Sequence, residues 1–191
     1  MRKEIIYFEE TGAKNTDVLL AAAKKRANEL KIRDIVVATT HGGTALKAKE
    51  VLDGPELNLV AVGICEGYKE KGWCMSQAEK TRLEKAGIKI LVASHTLGDG
   101  VASAFTEKSG GKSIEEIVRD TLYRFGQGMK VCVEIVLMAA DAGLIPIDRE
   151  VMAIAGTSEG ADTCIIVKST YPRKFFDLEI REIVAKPRIL S

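Results

Sequence analysis

Val36-Val37-Ala38-Thr39-Thr40-His41-Gly42-Gly43-Thr44-Ala45-Leu46 is the stretch that decides how this chain folds. An apolar run with the look of a buried strand ends in small polar residues, passes a glycine pair and enters a helical pattern. Glycines let a backbone approach a ligand closely, and the exposed amides at a helix start suit an anion. Thr39, Thr40 and Thr44 add hydroxyl donors. The motif predicts a phosphate cradle made of Thr39, Thr40, His41, Gly42, Gly43 and Thr44. An ordinary turn with a threonine cap is the plain alternative.

Three more apolar runs end the same way. Residues 59–63 lead to Ile64-Cys65-Glu66-Gly67-Tyr68, residues 88–93 to Ser94-His95-Thr96-Leu97-Gly98, and residues 151–155 to Gly156-Thr157-Ser158-Glu159-Gly160-Ala161-Asp162. In open α/β sheets, ligands bind beyond the carboxyl ends of the strands. Ser94, His95, Gly156 and Thr157 therefore join the expected ligand contacts, and both histidines of the chain fall in these loops. The last loop runs from strand to strand, so a flexible hairpin is its plain reading.

Outward from these loops, a short strand is expected at 4–8 and a helix from Asn15 or Thr16 to about Leu30. Val18, Leu19, Ala22, Ala23, Arg26, Ala27 and Leu30 mark its inner face. Ser76-Gln77-Ala78-Glu79 and Ser113-Ile114-Glu115-Glu116 read as capping boxes. Ile114, Ile117, Val118, Thr121, Leu122 and Phe125 form an apolar stripe. The helix at 129–142 is apolar nearly all round and belongs in the centre. Glu134, a carboxylate in the middle of that apolar run, either pairs with Lys130 one turn earlier or faces the ligand crevice. Strands follow at 151–155 and 163–168, and imperfect alternation over 176–184 predicts a final edge strand. Residues 98–112 show no period; their glycines and Phe105 suggest a mobile lid. Strands alternating with helices imply an α/β protein with a mainly parallel sheet covered on both faces.

The 191 residues, 46% of them hydrophobic, suit one domain with a full core. A net charge of +1, with 28 basic and 27 acidic residues spread along the chain, gives no stripe for nucleic acid and no patch for a membrane surface. No stretch approaches a membrane span and the start lacks a long apolar signal core, so a cytoplasmic protein is expected. The cysteines Cys65, Cys74, Cys132 and Cys164 form no C-x-x-C pair, so spacing supports no zinc site and no metal is expected. Cys132 and Cys164 lie in apolar runs and read as buried thiols; Cys65 and Cys74 flank one loop, and a cytosolic location argues against their pairing. Two look-alikes are set aside. Gly110-Gly111-Lys112-Ser113 lacks the first glycine and the strand of a phosphate-binding loop. Gly98-Asp99-Gly100-Val101-Ala102-Ser103 lacks the third glycine and the helix of a dinucleotide fingerprint.

The order of strand, Thr-x-x-Gly-x-Thr-Ala loop, helix, strand, helix, strand, closed by a late glycine-rich loop, resembles the C-terminal domain of pyruvate kinase. There the first loop grips a phosphate of an allosteric sugar bisphosphate. Thr39, Gly42, Thr44 and Ala45 match that loop, whereas His41 and Gly43 replace its usual serine and basic residue. Residues 156–160 resemble the second effector loop. The likeness is to that domain alone and implies no kinase activity. A closer resemblance is to stand-alone proteins of this domain, carried by Lys130-Val131-Cys132-Val133-Glu134-Ile135-Val136-Leu137-Met138-Ala139-Ala140-Asp141-Ala142-Gly143-Leu144-Ile145-Pro146. Tyr7-Phe8, Asn15-Thr16, Ser94-His95 and Gly160-Ala161-Asp162-Thr163 fit as well. This resemblance implies a three-layer α/β/α sandwich, mainly parallel with an antiparallel edge, and an association with flavin mononucleotide (FMN). It implies no established reaction. The expectation is a protein that binds a phosphorylated small molecule, FMN foremost, as a homo-oligomer, with Glu134 beneath the crevice. The alternatives are an enzyme acting on a phosphorylated metabolite through His95 or His41, and a regulatory or assembly module.

Overall fold

The computed structural model describes residues 2–54 and 56–189. Seven strands form a single sheet: β1 (Ile6–Phe8), β2 (Asp34–Ala38), β3 (Asn58–Gly63), β4 (Lys89–Val92), β5 (Glu150–Ala155), β6 (Thr163–Lys168) and β7 (Glu179–Pro187), in the order β1-β7-β6-β5-β2-β3-β4. The pairs β5–β2, β2–β3, β3–β4 and β1–β7 are parallel. β6 runs against both neighbours, which confines antiparallel pairing to the β5-β6-β7 end of the sheet. β7 was expected at the edge; β1 pairs outside it, with Ile6 opposite Ala185. A three-residue strand is too short for its sequence to announce where it docks.

Helices cover both faces. α1 (Thr16–Leu30), α2 (Gly43–Leu52) and α3 (Gln77–Lys85) bury Leu19, Ala45 and Leu83 against Ile35, Val37 and Ile154. On the other face α6 (Gln127–Asp141) packs Met129, Val133, Val136 and Ala140 on Val36, Val60 and Ala153, with α5 (Ile114–Leu122) beside it through Val118 and Leu122. The sheet strands between these layers read as near-continuous apolar runs, as strands buried on both faces must. On α1, Leu20 is buried where Val18 was expected, and Val18 stands 55% exposed. Arg26, the polar member of that inner face, is buried because Glu182 takes its guanidinium in an ion pair, with Glu29 adding a second at 2.6 Å.

Both capping boxes form: Ser76 and Ser113 each accept the amide three residues on, and Glu79 and Glu116 each accept the cap residue's amide. Two further sequence expectations change. Residues Val101–Ser109, expected to lack structure, form a helix, α4. The stripe on α5 does face one way, but Ile114 is 79% and Ile117 55% exposed, and Phe105 on α4 is 68% exposed. Periodicity marks an amphipathic helix; it does not say what covers the apolar side.

Candidate functional site

From β2 the chain winds outward through β3 to β4, then returns to place β5 on β2's other side. The strand order therefore reverses between β2 and β5. The crevice beyond the carboxyl ends at such a switch point is where open α/β sheets bind ligands. Val37 and Ile154 are register partners, each one residue short of its strand's end, so the two glycine-containing loops lie side by side.

The β2 loop is held by its own groups. The Thr39 amide donates to Val62 O at 3.0 Å, and Thr39 Oγ1 accepts the Gly42 amide at 3.0 Å. Gly42 turns left-handed at φ 87° and starts α2. A Cβ there would also meet the Leu83 side chain at 3.3 Å, so the glycine seats the loop on α3. Gly43 opens the helix at the exposed surface, and a Cβ on it would meet no atom within 4 Å. No side chain caps α2, and the first amides of a helix have no intrahelical acceptor. The amides of Gly43, Thr44 and Ala45, backed by the helix dipole, thus form the anion-attracting end of the site. Thr40 and Thr44 are half-buried beside them. His41 is exposed and leans on α3, with Nδ1 3.3 Å from Glu79 Oε1.

The β5–β6 loop is knit in place by Asp162, which is fully buried. Its Oδ2 accepts the amides of Gly12 at 2.9 Å and Thr157 at 3.1 Å, and its Oδ1 accepts the Thr163 hydroxyl at 2.8 Å. The Ala161 amide donates to Thr16 Oγ1 at 2.9 Å. A Cβ on Gly160 would fall 2.5 Å from Ala13, and one on Gly128, in the first turn of α6, 3.0 Å from Asp162 Oδ1. The carboxylate thus sits by the positive end of α6, which no side chain caps. The loop does close a β5–β6 hairpin, but one fixed from three directions, with Gly156 and Thr157 half-buried at its start.

Ser94 and His95 follow β4, two strands from β2, or about 10 Å across the sheet. Ser94 is exposed. His95 Nδ1 contacts Asp99 Oδ2, and Asp99 Oδ1 accepts Tyr68 Oη at 2.7 Å. Tyr68 stacks on His95 at 6.2 Å and on Trp73 at 5.5 Å, with Lys71 Nζ 4.9 Å from the Tyr68 ring centre. Donating to Asp99, and secondarily burial, push the Tyr68 phenol up to about 12. Burial pushes the Cys65 thiol up, against the opposing pull of the Gly67 amide on its sulfur. Cys65, Tyr68 and Asp99 were not among the expected contacts. They reach one another from loops after two strands, a relation no local spacing records. A helix does follow Gly98-Asp99-Gly100, but Asp99 turns to His95 and Tyr68 rather than opening a nucleotide turn.

Glu134 is buried and engaged at both oxygens: Oε2 takes Lys130 Nζ at 2.5 Å and Oε1 the Leu97 amide at 2.9 Å. The helical pairing with Lys130 is the one the structure forms, and the Leu97 bond anchors the loop that carries Ser94 and His95. Glu134→Gln keeps one acceptor and leaves the other donor unpaired. It is expected to lower stability by about 1–3 kcal/mol in denaturant titrations. A variant of unchanged stability contradicts the pairing.

A cavity of about 250 Å³ opens at the opposite end of the sheet, near Lys24, Asn28, Arg33 and Asp53. It lies at the amino end of β2, away from the loops above. Among the described residues, no helix is long and apolar enough to cross a membrane.

Among solved structures the chain is similar to a pyruvate kinase from Cryptosporidium parvum, at 14% identity and a TM-score of 0.41, over 81% of this chain and 23% of that one. A second is Cryptosporidium parvum pyruvate kinase in complex with ADP, at 14% identity and a TM-score of 0.38, over 90% of this chain and 24% of that one. The chain thus spans about a quarter of the length of these proteins. Residues 17–167 match the family model for the pyruvate kinase alpha/beta domain, a span that takes in α2, the crevice loops and all of α6, and the chain belongs to that family.

Proposed function

We propose that this protein binds a phosphorylated small molecule, with FMN the ligand expected, in the crevice between the carboxyl ends of β2 and β5. The observation that carries this reading is the uncapped start of α2 at the switch point, with Gly43 open to solvent beside the braced Gly156-Thr157 turn. The residues present fit the phosphate of FMN: free helix amides, the Thr40 and Thr44 hydroxyls, and room at Gly43 for a close approach. Ser94 and His95 lie further along the same edge, and in this reading they contact the rest of the ligand. Flavin fluorescence titrated with this protein tests the reading. Saturable binding of one FMN per chain, reversed by excess inorganic phosphate, is expected; no saturable binding counts against FMN.

A second reading, an assembly module, is favoured by one observation: Val101 and Phe105 on α4 and Ile114 and Ile117 on α5 are large apolar side chains left exposed. A second copy of this chain is the partner in that reading. Ile117→Lys is then expected to shift the sedimentation of the protein from oligomer to monomer. A wild-type protein that sediments as a monomer at high concentration contradicts self-association.

A further inference from the structure

We propose that Cys65, His95 and Asp99 form a binding site for a divalent transition metal of the zinc type. One donor atom from each residue lies within 4.8 Å of the other two. The donors are a sulfur, an imidazole nitrogen and a carboxylate oxygen, a set that suits zinc or cobalt and not the oxygen-seeking magnesium or calcium. Tetrahedral zinc, with bonds of about 2.0–2.3 Å, holds its donor atoms about 3.3–3.8 Å apart, so side-chain adjustments of about an ångström close the site. Three protein ligands leave a fourth position for water or substrate.

Two features beyond the trio point the same way. Tyr68 Oη donates to Asp99 Oδ1 at 2.7 Å, the outer-shell bond that fixes a ligating carboxylate. The His95 ring is stacked on Tyr68, which is stacked in turn on Trp73, so the imidazole is oriented without a metal. Each ligand comes from a rigid origin. Cys65 follows β3 and caps the 3-10 turn Glu66–Lys71; His95 and Asp99 bracket the loop anchored by Glu134. The ligands are 30 and 4 residues apart in sequence and the cysteines form no C-x-x-C pair, which is why no metal was expected from the cysteine pattern. The trio shares only His95 with the contacts expected for a phosphorylated ligand, and it is tested without one.

The experiment uses the full chain, stripped with a chelator and titrated with cobalt(II) alone. One cobalt per chain, with a thiolate-to-cobalt charge-transfer band that zinc abolishes, is expected. Cys65→Ser should lose the band. His95→Ala and Asp99→Asn should weaken cobalt binding at least about tenfold, and Tyr68→Phe about 10–100-fold through the outer shell. Cys74→Ser should keep the band. Circular dichroism identifies folded variants; if Cys65→Ser does not fold, Tyr68→Phe and Asp99→Asn carry the test. Absence of cobalt uptake by the wild type overturns the proposal and leaves a hydrogen-bonded His95-Asp99-Tyr68 network beside the Cys65 thiol. A band that survives Cys65→Ser, or unchanged affinity in both Asp99→Asn and Tyr68→Phe, overturns it equally.

Discussion

Replacing Gly43 with Asp is expected to weaken FMN binding about 100-fold while leaving the thermal midpoint unchanged or slightly raised. Gly43 is the first residue of α2, exposed, with no atom within 4 Å of where its Cβ would be. An aspartate in the first turn of a helix is favourable by about 0.3–1 kcal/mol, so the fold gains rather than suffers. The same charge meets a phosphate held on the neighbouring amides. At about 4 Å and an effective dielectric near 20, one pair of like charges is worth about 4 kcal/mol before screening. Solvent at this open edge reduces that to about 3 kcal/mol, or about two orders of magnitude in Kd. Gly42 is the poorer position to test, because a side chain there meets both a left-handed backbone and Leu83, and loss of binding would then report damage to the fold. Fluorescence titration and a thermal melt on the same variant separate the two effects. Undiminished FMN affinity in a stable Gly43→Asp protein would remove the phosphate from this helix start.

The largest loss of stability is expected at Asp162. Removing the carboxylate with Asp162→Ala strands the Gly12 and Thr157 amides and the Thr163 hydroxyl at a position where the aspartate is fully buried. Hydrogen bonds to a charged acceptor are worth about 1.5–3 kcal/mol each, and their losses are not additive; about 3–5 kcal/mol in all is expected from chemical denaturation. Asp162→Asn retains one carbonyl oxygen and should lose less. Because the carboxylate ties residue 12, the β5–β6 loop and Thr163 to one point, both variants should also loosen the Gly156-Thr157 side of the crevice. An Asp162→Ala protein as stable as the wild type would mean that the three donors find other acceptors.

What the sequence discloses here depends on how local each signal is. The capping boxes at Ser76 and Ser113 form as read, because both partners of each box lie within one turn. The central helix is legible too: a run that is apolar on all sides, as at Val131 to Ala140, can only be buried. α4 escaped notice because its large apolar residues, Val101 and Phe105, face outward and so contribute no inward stripe. The β2 loop was legible as a strand-glycine-helix turn, but not that His41 meets Glu79, on a helix that the loop's own residues do not reveal. The sequence flagged Glu134 as an oddity and offered Lys130 as partner; that the other oxygen would hold Leu97 depends on how β4 ends. The brace that Asp162 gives residue 12 and the meeting of Cys65 with His95 and Asp99 lay beyond reach for one reason. Their partners come from distant positions, such as Gly12, some 150 residues from Asp162.

The central claim, that a phosphorylated ligand sits on the start of α2 at the β2–β5 switch point, is tested most directly by amide chemical shifts of the isotopically labelled protein during an FMN titration. The amides of Gly43, Thr44 and Ala45 should shift most and saturate together with those of Gly156 and Thr157. Shifts confined to the far end of the sheet, around Lys24, Asn28 and Arg33, or no shifts at all at high FMN concentration, would contradict it.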